Sequence, residues 1–366
     1  MIESHKKIMI AAAGTGGHVM PGLAVARVLR ARGWDVEWIG TTTGMESGLV
    51  AKDGIDFTGL NFRGMRGRGL LGAIKGGFKL IGAFFAARRA LKKSGATALF
   101  STGGYVAVPV GYAAKSLGLP IVVMNCDADL LMSTYSLLPL CDALACGFAG
   151  GARTHAGNKG VITGNPVRAD IVALPEPRER LLSHTGPLRI LVFGGSLGAK
   201  VFNEVIPEMM ALIAPERRPQ ILHQTGKGND EAVRAHYARL GVEADVRPFI
   251  EDMAGAYRDS DLVICRAGAT SVAELCAAGA ASILVPFVAK TTSHQMGNAK
   301  FMASQGAGIF IAQSDFEAAR LAELIEGYHR EFLVMVAEHA RELSKPEAAQ
   351  NVAELIETVV ARRQGH

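Results

Sequence analysis

Three segments of the chain combine backbone amides and side chains suited to holding an anion and moving a proton. The first is Gly14-Thr15-Gly16-Gly17-His18, which follows an apolar run and precedes a helix-like stretch starting near Pro21. Glycines permit a tight turn and a close approach of ligand to peptide N–H groups, and proline suits a first helical turn. His18 adds an imidazole, able to act as base or hydrogen-bond donor near neutral pH. Counted from Gly14, the sixth position is Val19, so this is not a dinucleotide fingerprint, and no Walker lysine pattern occurs. A plain tight turn is the structural alternative.

Gly194-Gly195-Ser196-Leu197-Gly198 repeats the strand–glycine loop–helix plan. Amides at the helix start, with the Ser196 hydroxyl, suit a diphosphate. The same residues also read as G-x-S-x-G, the nucleophile elbow of a serine hydrolase, with Asp261 and His294 following in hydrolase order. The third segment is Cys265-Arg266-Ala267-Gly268-Ala269-Thr270-Ser271-Val272-Ala273-Glu274. A phosphate fits the Gly268–Ser271 amides, Glu274 can accept both hydroxyls of a ribose, and Arg266 supplies positive charge. Taken alone it is also an ordinary helix start with a favourable acid. Two phosphate-type loops and a ribose-type acid in one half point to a nucleoside diphosphate. Beyond them, His294-Gln295-Met296-Gly297-Asn298 offers amides able to bond sugar hydroxyls.

Positioning these loops requires strands alternating with helices, the signature of parallel βα units. Short apolar runs predict strands at Lys7–Ala13, Val36–Ile39, Ala98–Ser101, Pro120–Met124, Ala143–Cys146 and Gly160–Thr163 in the first half. The second half has Leu188–Phe193, Gln220–Gln224, Asp245–Phe249, Leu262–Cys265, Ala281–Val285 and Gly308–Ile311. The expected fold is α/β, with two doubly wound parallel sheets whose ligand crevices lie at the strands' carboxyl ends and face across a cleft. A polar, proline-containing stretch from Leu174 to Pro187, preceded by Gly164-Asn165-Pro166, marks the boundary. The predicted domains are 1–165, joined by a returning C-terminal helix over 346–366, and 166–345.

A length of 366 residues fits two cores, and 49% hydrophobic residues with 43 glycines exclude a disordered chain. Five cysteines, odd in number and without a CxxC pair, read as reduced thiols, not a disulfide or zinc framework. The apolar run Ile8–Ala13 is too short for a signal peptide, and no stretch approaches the roughly 18–20 apolar residues of a membrane span. The expectation is a soluble chain, or one attached to a surface.

The net charge is only +5, but residues 61–94 hold Arg63, Arg66, Arg68, Lys75, Lys79, Arg88, Arg89, Lys92 and Lys93 and no acid. Phe78, Ile81, Phe84 and Phe85 are interleaved with them. That mixture suits either an anionic membrane surface or a core-facing amphipathic helix with a solvated basic side. Nucleic acid is not expected, because no stacking pattern of aromatics accompanies the charges.

Together these motifs resemble the MurG family of N-acetylglucosaminyltransferases, which convert lipid I to lipid II in bacterial cell-wall synthesis. The resemblance runs through GTGGHVMPGLAVA at 14–26, FRGMRGRG at 62–69, STGGYVAVPV at 101–110 and TGNPVR at 163–168. It continues with GGSLGA at 194–199, FIEDM at 249–253, CRAGATSVAE at 265–274 and HQMGNA at 294–299. It implies a GT-B fold, UDP-GlcNAc as donor, a lipid-linked muramoyl-pentapeptide acceptor (lipid I), inversion at the anomeric carbon, no cofactor and no obligatory metal. It also implies a peripheral location on the cytoplasmic face of the inner membrane, with segment 63–93 facing the lipid.

Carried over by position, Thr15, Gly16 and Gly17 face the donor sugar and Arg168 lies at the hinge. Ser196 meets the diphosphate, and the Ile250 backbone meets uracil. Ala269, Thr270, Ser271, Val272, Ala273 and Glu274 hold phosphate and ribose, while Gln295 and Asn298 contact the GlcNAc. One segment departs. Where the family typically has His-Glu-Gln-Asn, this chain has Met124-Asn125-Cys126-Asp127, which removes a catalytic or acceptor-orienting Glu and puts Asp127 in place of the family's Asn. It also creates the string Asp127-Ala128-Asp129, which is not expected to hold a metal. His18 is the first candidate base and Asp127 the second, with Asp127 also a substrate contact. Other readings are another GT-B transferase, a UDP-sugar epimerase, a non-catalytic UDP-sugar-binding subunit, and the Ser196 hydrolase.

Overall fold

In the inner strands, consecutive apolar residues are buried on both faces, as parallel sheets covered by helices require. The structure, a computed structural model, describes residues 6–14, 16–62, 70–288 and 294–365. It divides into two compact units, one of Met1–Pro166 with Glu347–His366 and one of Val167–Pro346.

The first unit holds β1 (Lys7–Ala12), β2 (Asp35–Thr41), β3 (Asp56–Leu60), β4 (Ala98–Gly103), β5 (Ile121–Asn125), β6 (Ala143–Cys146) and β7 (Gly160–Ile162). They pair in parallel in the order β3-β2-β1-β4-β5-β6-β7. The second unit holds β8 (Arg189–Phe193), β9 (Gln220–Gln224), β10 (Asp245–Arg247), β11 (Leu262–Cys265), β12 (Ser282–Leu284) and β13 (Ile309–Phe310). Their order is β10-β9-β8-β11-β12-β13, also parallel. Both sheets reverse winding beside their first strand, so each opens a crevice at the carboxyl ends of β1 and β4, or of β8 and β11.

Three expectations need correction. The first sheet has seven strands, not six, because β3 (Asp-Phe-Thr-Gly-Leu) is a half-exposed edge strand without an apolar run. The helix expected near Pro21 begins at Gly16 and runs to Ala31, so Pro21 lies within it and offers no N–H to the Gly17 carbonyl. β10 stops at Arg247 and not at Phe249, since Pro248 has no N–H for the ladder.

Each unit packs its own core, around Met9, Ile39, Leu99 and Val123 in the first and Val192, Phe202, Ile264 and Ile283 in the second. The last helix, Ala348–Gln364, buries Val352, Ile356, Val359 and Val360 and packs on helix Gly16–Ala31. Its Glu357 accepts from Arg32 Nη1 (2.8 Å) and Trp34 Nε1 (3.0 Å).

His223 on β9 is fully buried, shares a hydrogen bond with Tyr237 Oη (3.0 Å), and leaves Nε2 without a partner. Burial pushes its pKa down to about 4. The unfolded chain takes up this proton near the usual pKa of about 6.5, so stability is complete above that value and falls on acidification towards 4. The expected loss across that window is up to about 3 kcal/mol. Urea unfolding of His223→Gln checks it: the variant's stability changes less between those pH values than the parent's. An equal change in both would refute the assignment.

Candidate active site

At the carboxyl end of β8, the loop Gly194–Ala199 turns into helix Lys200–Leu212. Gly198 (φ +71°) and Gly226 (φ +84°) let this loop interlock with the one after β9, since a Cβ on either would collide with the other loop's backbone. Gln224 Nε2 donates to the Gly195 carbonyl (3.0 Å), and the Asn203 and Asn229 amides both donate to the Thr225 carbonyl (3.1 Å each). Ser196 is left exposed at the tip. A loop pinned on three sides presents its amides in one arrangement.

The neighbouring β11 is in register with β8, Cys265 opposite Phe193, so the loop after it opens beside Gly194. Helix Ala269–Ala278 starts there, and its N-cap, Gly268, brings no side chain to its first-turn amides. Thr270, Ser271 and Glu274 share the half-open side of this helix, whereas Val272 and Ala273 turn into the core. Glu274 Oε1 receives Arg168 Nη2 at 3.4 Å, and Oε2 receives the Tyr257 hydroxyl at 3.2 Å. Burial pushes the Glu274 carboxyl above its ordinary range, against the opposing pull of Arg168 and Tyr257.

Arg266 lies over the Phe202 and Phe287 rings and donates to the Val285 carbonyl (3.0 Å) and Gln313 Oε1 (2.8 Å). Helix His294–Ser304 is tied to the same sheet edge. Gln295 Oε1 accepts from Phe287 N (2.8 Å), and the fully buried Asn298 donates to the Ala267 carbonyl (2.9 Å). Ile250 is buried beyond the end of β10, at the carboxyl edge shared by all these loops. Among the expected residues of this unit, the structure therefore gathers Arg168, Ser196, Ile250, Arg266, 269–274, Gln295 and Asn298 along one edge.

In the first unit, Gly16 and Gly17 open helix Gly16–Ala31, and Thr15 lies outside the described residues. His18 sits in the first turn against the end of β4. Its Nδ1 is 3.0 Å from the Thr102 carbonyl, which can only accept, so Nδ1 carries the proton and Nε2 is the ring's basic nitrogen. Thr102 Oγ1 in turn donates to the His18 carbonyl (2.7 Å). Gly104, at φ +82°, presses against the Ala13 carbonyl, where a Cβ would stand only 1.9 Å away.

The substituted loop follows β5. Asn125 is fully buried; its Nδ2 donates to the carbonyls of Asp127 (2.7 Å) and Asp129 (3.0 Å), and its Oδ1 accepts from Leu131 N (3.0 Å). A residue noted in the sequence only as a departure thus shapes the loop that carries Asp127. The Asp127 side chain is buried while Asp129 is exposed, so the two carboxylates do not share one environment.

Residues 8–134 match the glycosyltransferase family 28 N-terminal domain, and 189–357 match the family's C-terminal domain. A UDP-N-acetylglucosamine--N-acetylmuramyl-(pentapeptide) pyrophosphoryl-undecaprenol N-acetylglucosamine transferase from Methylibium petroleiphilum is 48% identical over 98% of this chain and 99% of its own. One of the same name from Janthinobacterium sp. is 46% identical over 97% and 99%. The crystal structure of Acinetobacter baumannii MurG superposes with a TM-score of 0.83 at 36% identity, covering 96% of this chain and 99% of that one.

The chain belongs to the MurG family of glycosyltransferases. Its two parallel sheets are the Rossmann-like halves of the GT-B fold that MurG members share. Membership removes the hydrolase alternative, and so does geometry. Asp261 stands just before β11, about 13 Å along the strand from the edge where Ser196 lies. There it is committed to His184 Nδ1 (2.7 Å), Arg189 N (2.8 Å) and Arg330 Nη2 (3.0 Å). The sequence order of a triad is present, but its acid is at the wrong end of the sheet.

In this MurG-family chain, helix Leu70–Ser94 carries the basic segment and has two distinct sides from residue 77 onward. Ala83, Ala87 and Leu91 form its core-facing side, while the large residues Phe78 (72% exposed), Ile81 (55%) and Phe85 (63%) face outward beside Lys79 and Arg89. Residues 63–69 lie outside the described residues. Among the described residues no helix is long and apolar enough to cross a membrane.

Proposed function

We propose that this protein transfers GlcNAc from UDP-GlcNAc to the C4 hydroxyl of lipid I, forming lipid II for peptidoglycan synthesis with inversion at the anomeric carbon. The observation that carries this reading is the adjacent pair of amide-lined loops after β8 and β11, with the Glu274 carboxylate beside them. That arrangement suits a nucleoside diphosphate: amides and helix starts for the diphosphate, a carboxylate for the ribose diol.

In this reading Val167–Pro346 binds the donor. Ser196 and the 269–273 amides take the diphosphate, the Ile250 backbone takes uracil, and Arg266 and Arg168 supply positive charge. Gln295 meets the GlcNAc, and the buried Asn298 holds the loop beneath it. The unit containing His18 takes the acceptor, with Thr15, Gly16 and Gly17 near the donor sugar. His18 Nε2 accepts the proton of the C4 hydroxyl as O4 bonds to C1 and the bond from C1 to the UDP oxygen breaks. The charge left on UDP is met by helix amides and cations. Asp127 is the second candidate for the proton. Phe78, Ile81 and Phe85 enter the interface of an anionic membrane with Lys79, Arg89, Lys92 and Lys93 at the headgroups, a peripheral placement on the cytoplasmic face of the inner membrane.

The test is incubation with UDP-GlcNAc and a lipid I analogue, scoring both UDP and the β-linked disaccharide. UDP release without disaccharide would refute it. Within this reading, Glu274→Gln is expected to raise KM for UDP-GlcNAc about 10- to 100-fold, since hydrogen bonds to a charged acceptor are lost. In the parent, donor affinity weakens as pH falls through the raised Glu274 pKa, and that acid limb disappears in Glu274→Gln. Initial rates over a pH series check both.

A further inference from the structure

Tyr257 lies on helix Met253–Arg258 and is 1% exposed. Its ring meets Phe193, the last residue of β8, edge-on at 6.2 Å between centroids. Its hydroxyl donates to Glu274 Oε2 at 3.2 Å. We infer that Tyr257 is a positioning residue that fixes the Glu274 carboxylate in the orientation the ribose diol needs. The inference rests on the donor reading above.

A glutamate side chain has three rotatable bonds, and a diol is held by two hydrogen bonds only if the carboxylate plane is fixed. Of the two partners holding Glu274, Arg168 is long, 42% exposed and 3.4 Å away. Tyr257 is wedged in the core and reaches the carboxylate through a rigid ring. A carboxylate offers about four acceptor positions. Tyr257 and Arg168 occupy one on each oxygen, which leaves one on each for the two ribose hydroxyls. Burial, followed by the nearby Glu274 charge, pushes the phenol far above its usual pKa, so it stays a donor throughout the working pH range. The charged and titratable groups facing Glu274 are Arg168, Tyr257, Asp170 and Cys265. Arg168 and Tyr257 stabilise its ionised form, and Asp170 opposes it.

Tyr257→Phe keeps the ring against Phe193 and removes only the hydroxyl. It is expected to raise KM for UDP-GlcNAc and Kd for UDP about 10-fold, with kcat at saturating donor little changed. The acid limb of donor affinity moves towards neutral pH, because the carboxylate has lost a hydrogen bond that favoured its charge. In a Glu274→Gln background the same change adds nothing. A Tyr257→Phe protein with lowered thermal stability but parental KM and acid limb would reduce the residue to packing and overturn the inference. Should Glu274→Gln itself leave KM unchanged, the donor reading fails instead, and the two failures are distinct. If Tyr257→Phe does not fold, Arg168→Met in the parent supplies the second measurement. A rise in KM there equal to that of Glu274→Gln would assign the orientation to Arg168 and overturn the role of Tyr257, whereas a smaller rise leaves it with the phenol.

Discussion

His18→Ala is expected to lower kcat about 100- to 10,000-fold, the usual range for loss of a general base, while KM for UDP-GlcNAc and Kd for UDP stay near parental values. The separation follows from the structure. In the proposed reaction only the imidazole of His18 takes part, with Nδ1 donating to the Thr102 carbonyl and Nε2 taking the proton. The backbone contact that seats the helix, Thr102 Oγ1 to the His18 carbonyl, survives truncation to alanine. The residues proposed for the nucleotide belong to the other sheet, so its binding has no reason to change. Single-turnover transfer to a lipid I analogue, alongside UDP titration, measures both. Near-parental turnover with intact donor binding would move the proton to Asp127, whose loop is shaped by Asn125.

Asp261→Ala is expected to destabilise the second unit by about 3–5 kcal/mol, the cost of breaking a buried ion pair from one side. The carboxylate is fully buried and accepts from His184 Nδ1, Arg189 N and both Nε (3.2 Å) and Nη2 (3.0 Å) of Arg330. Its removal leaves the Arg330 charge, only 17% exposed, with the Gly186 and Pro187 carbonyls but no carboxylate, and strands the backbone amide at the start of β8. Denaturant unfolding gives the magnitude. Because Asp261 lies at the amino end of β11, the folded fraction keeps its KM for UDP-GlcNAc. A loss below about 1 kcal/mol would class the cluster with surface ion pairs.

The strand–glycine loop–helix repeats were legible because parallel βα units must bury their strands as unbroken apolar runs and place backbone amides at the following turn. Gly194–Gly198 and Cys265–Glu274 therefore stand out in the sequence as loops between a strand and a helix. β3 escaped because it is only partly buried, so Asp-Phe-Thr-Gly-Leu shows no apolar run. Thr102 escaped for a different reason: its part in holding His18 is played by a carbonyl, which every residue possesses. Tyr257 lies 17 residues before Glu274, outside any local motif, and only the winding of β11 brings the phenol to the carboxylate. Asp261 fits the order of a triad in the alternative hydrolase reading because chain order carries no information about which end of a strand a residue occupies.

The returning helix Ala348–Gln364 bears on how the protein is made. On the ribosome the first unit is begun first and completed last. Its seven strands emerge, the whole of Val167–Pro346 follows, and only then does the segment that covers helix Gly16–Ala31 appear. Until that moment the Trp34 indole and the Arg32 guanidinium lack Glu357. The first unit thus spends most of synthesis with an apolar flank uncovered, while Val167–Pro346 can close as soon as its own residues are out.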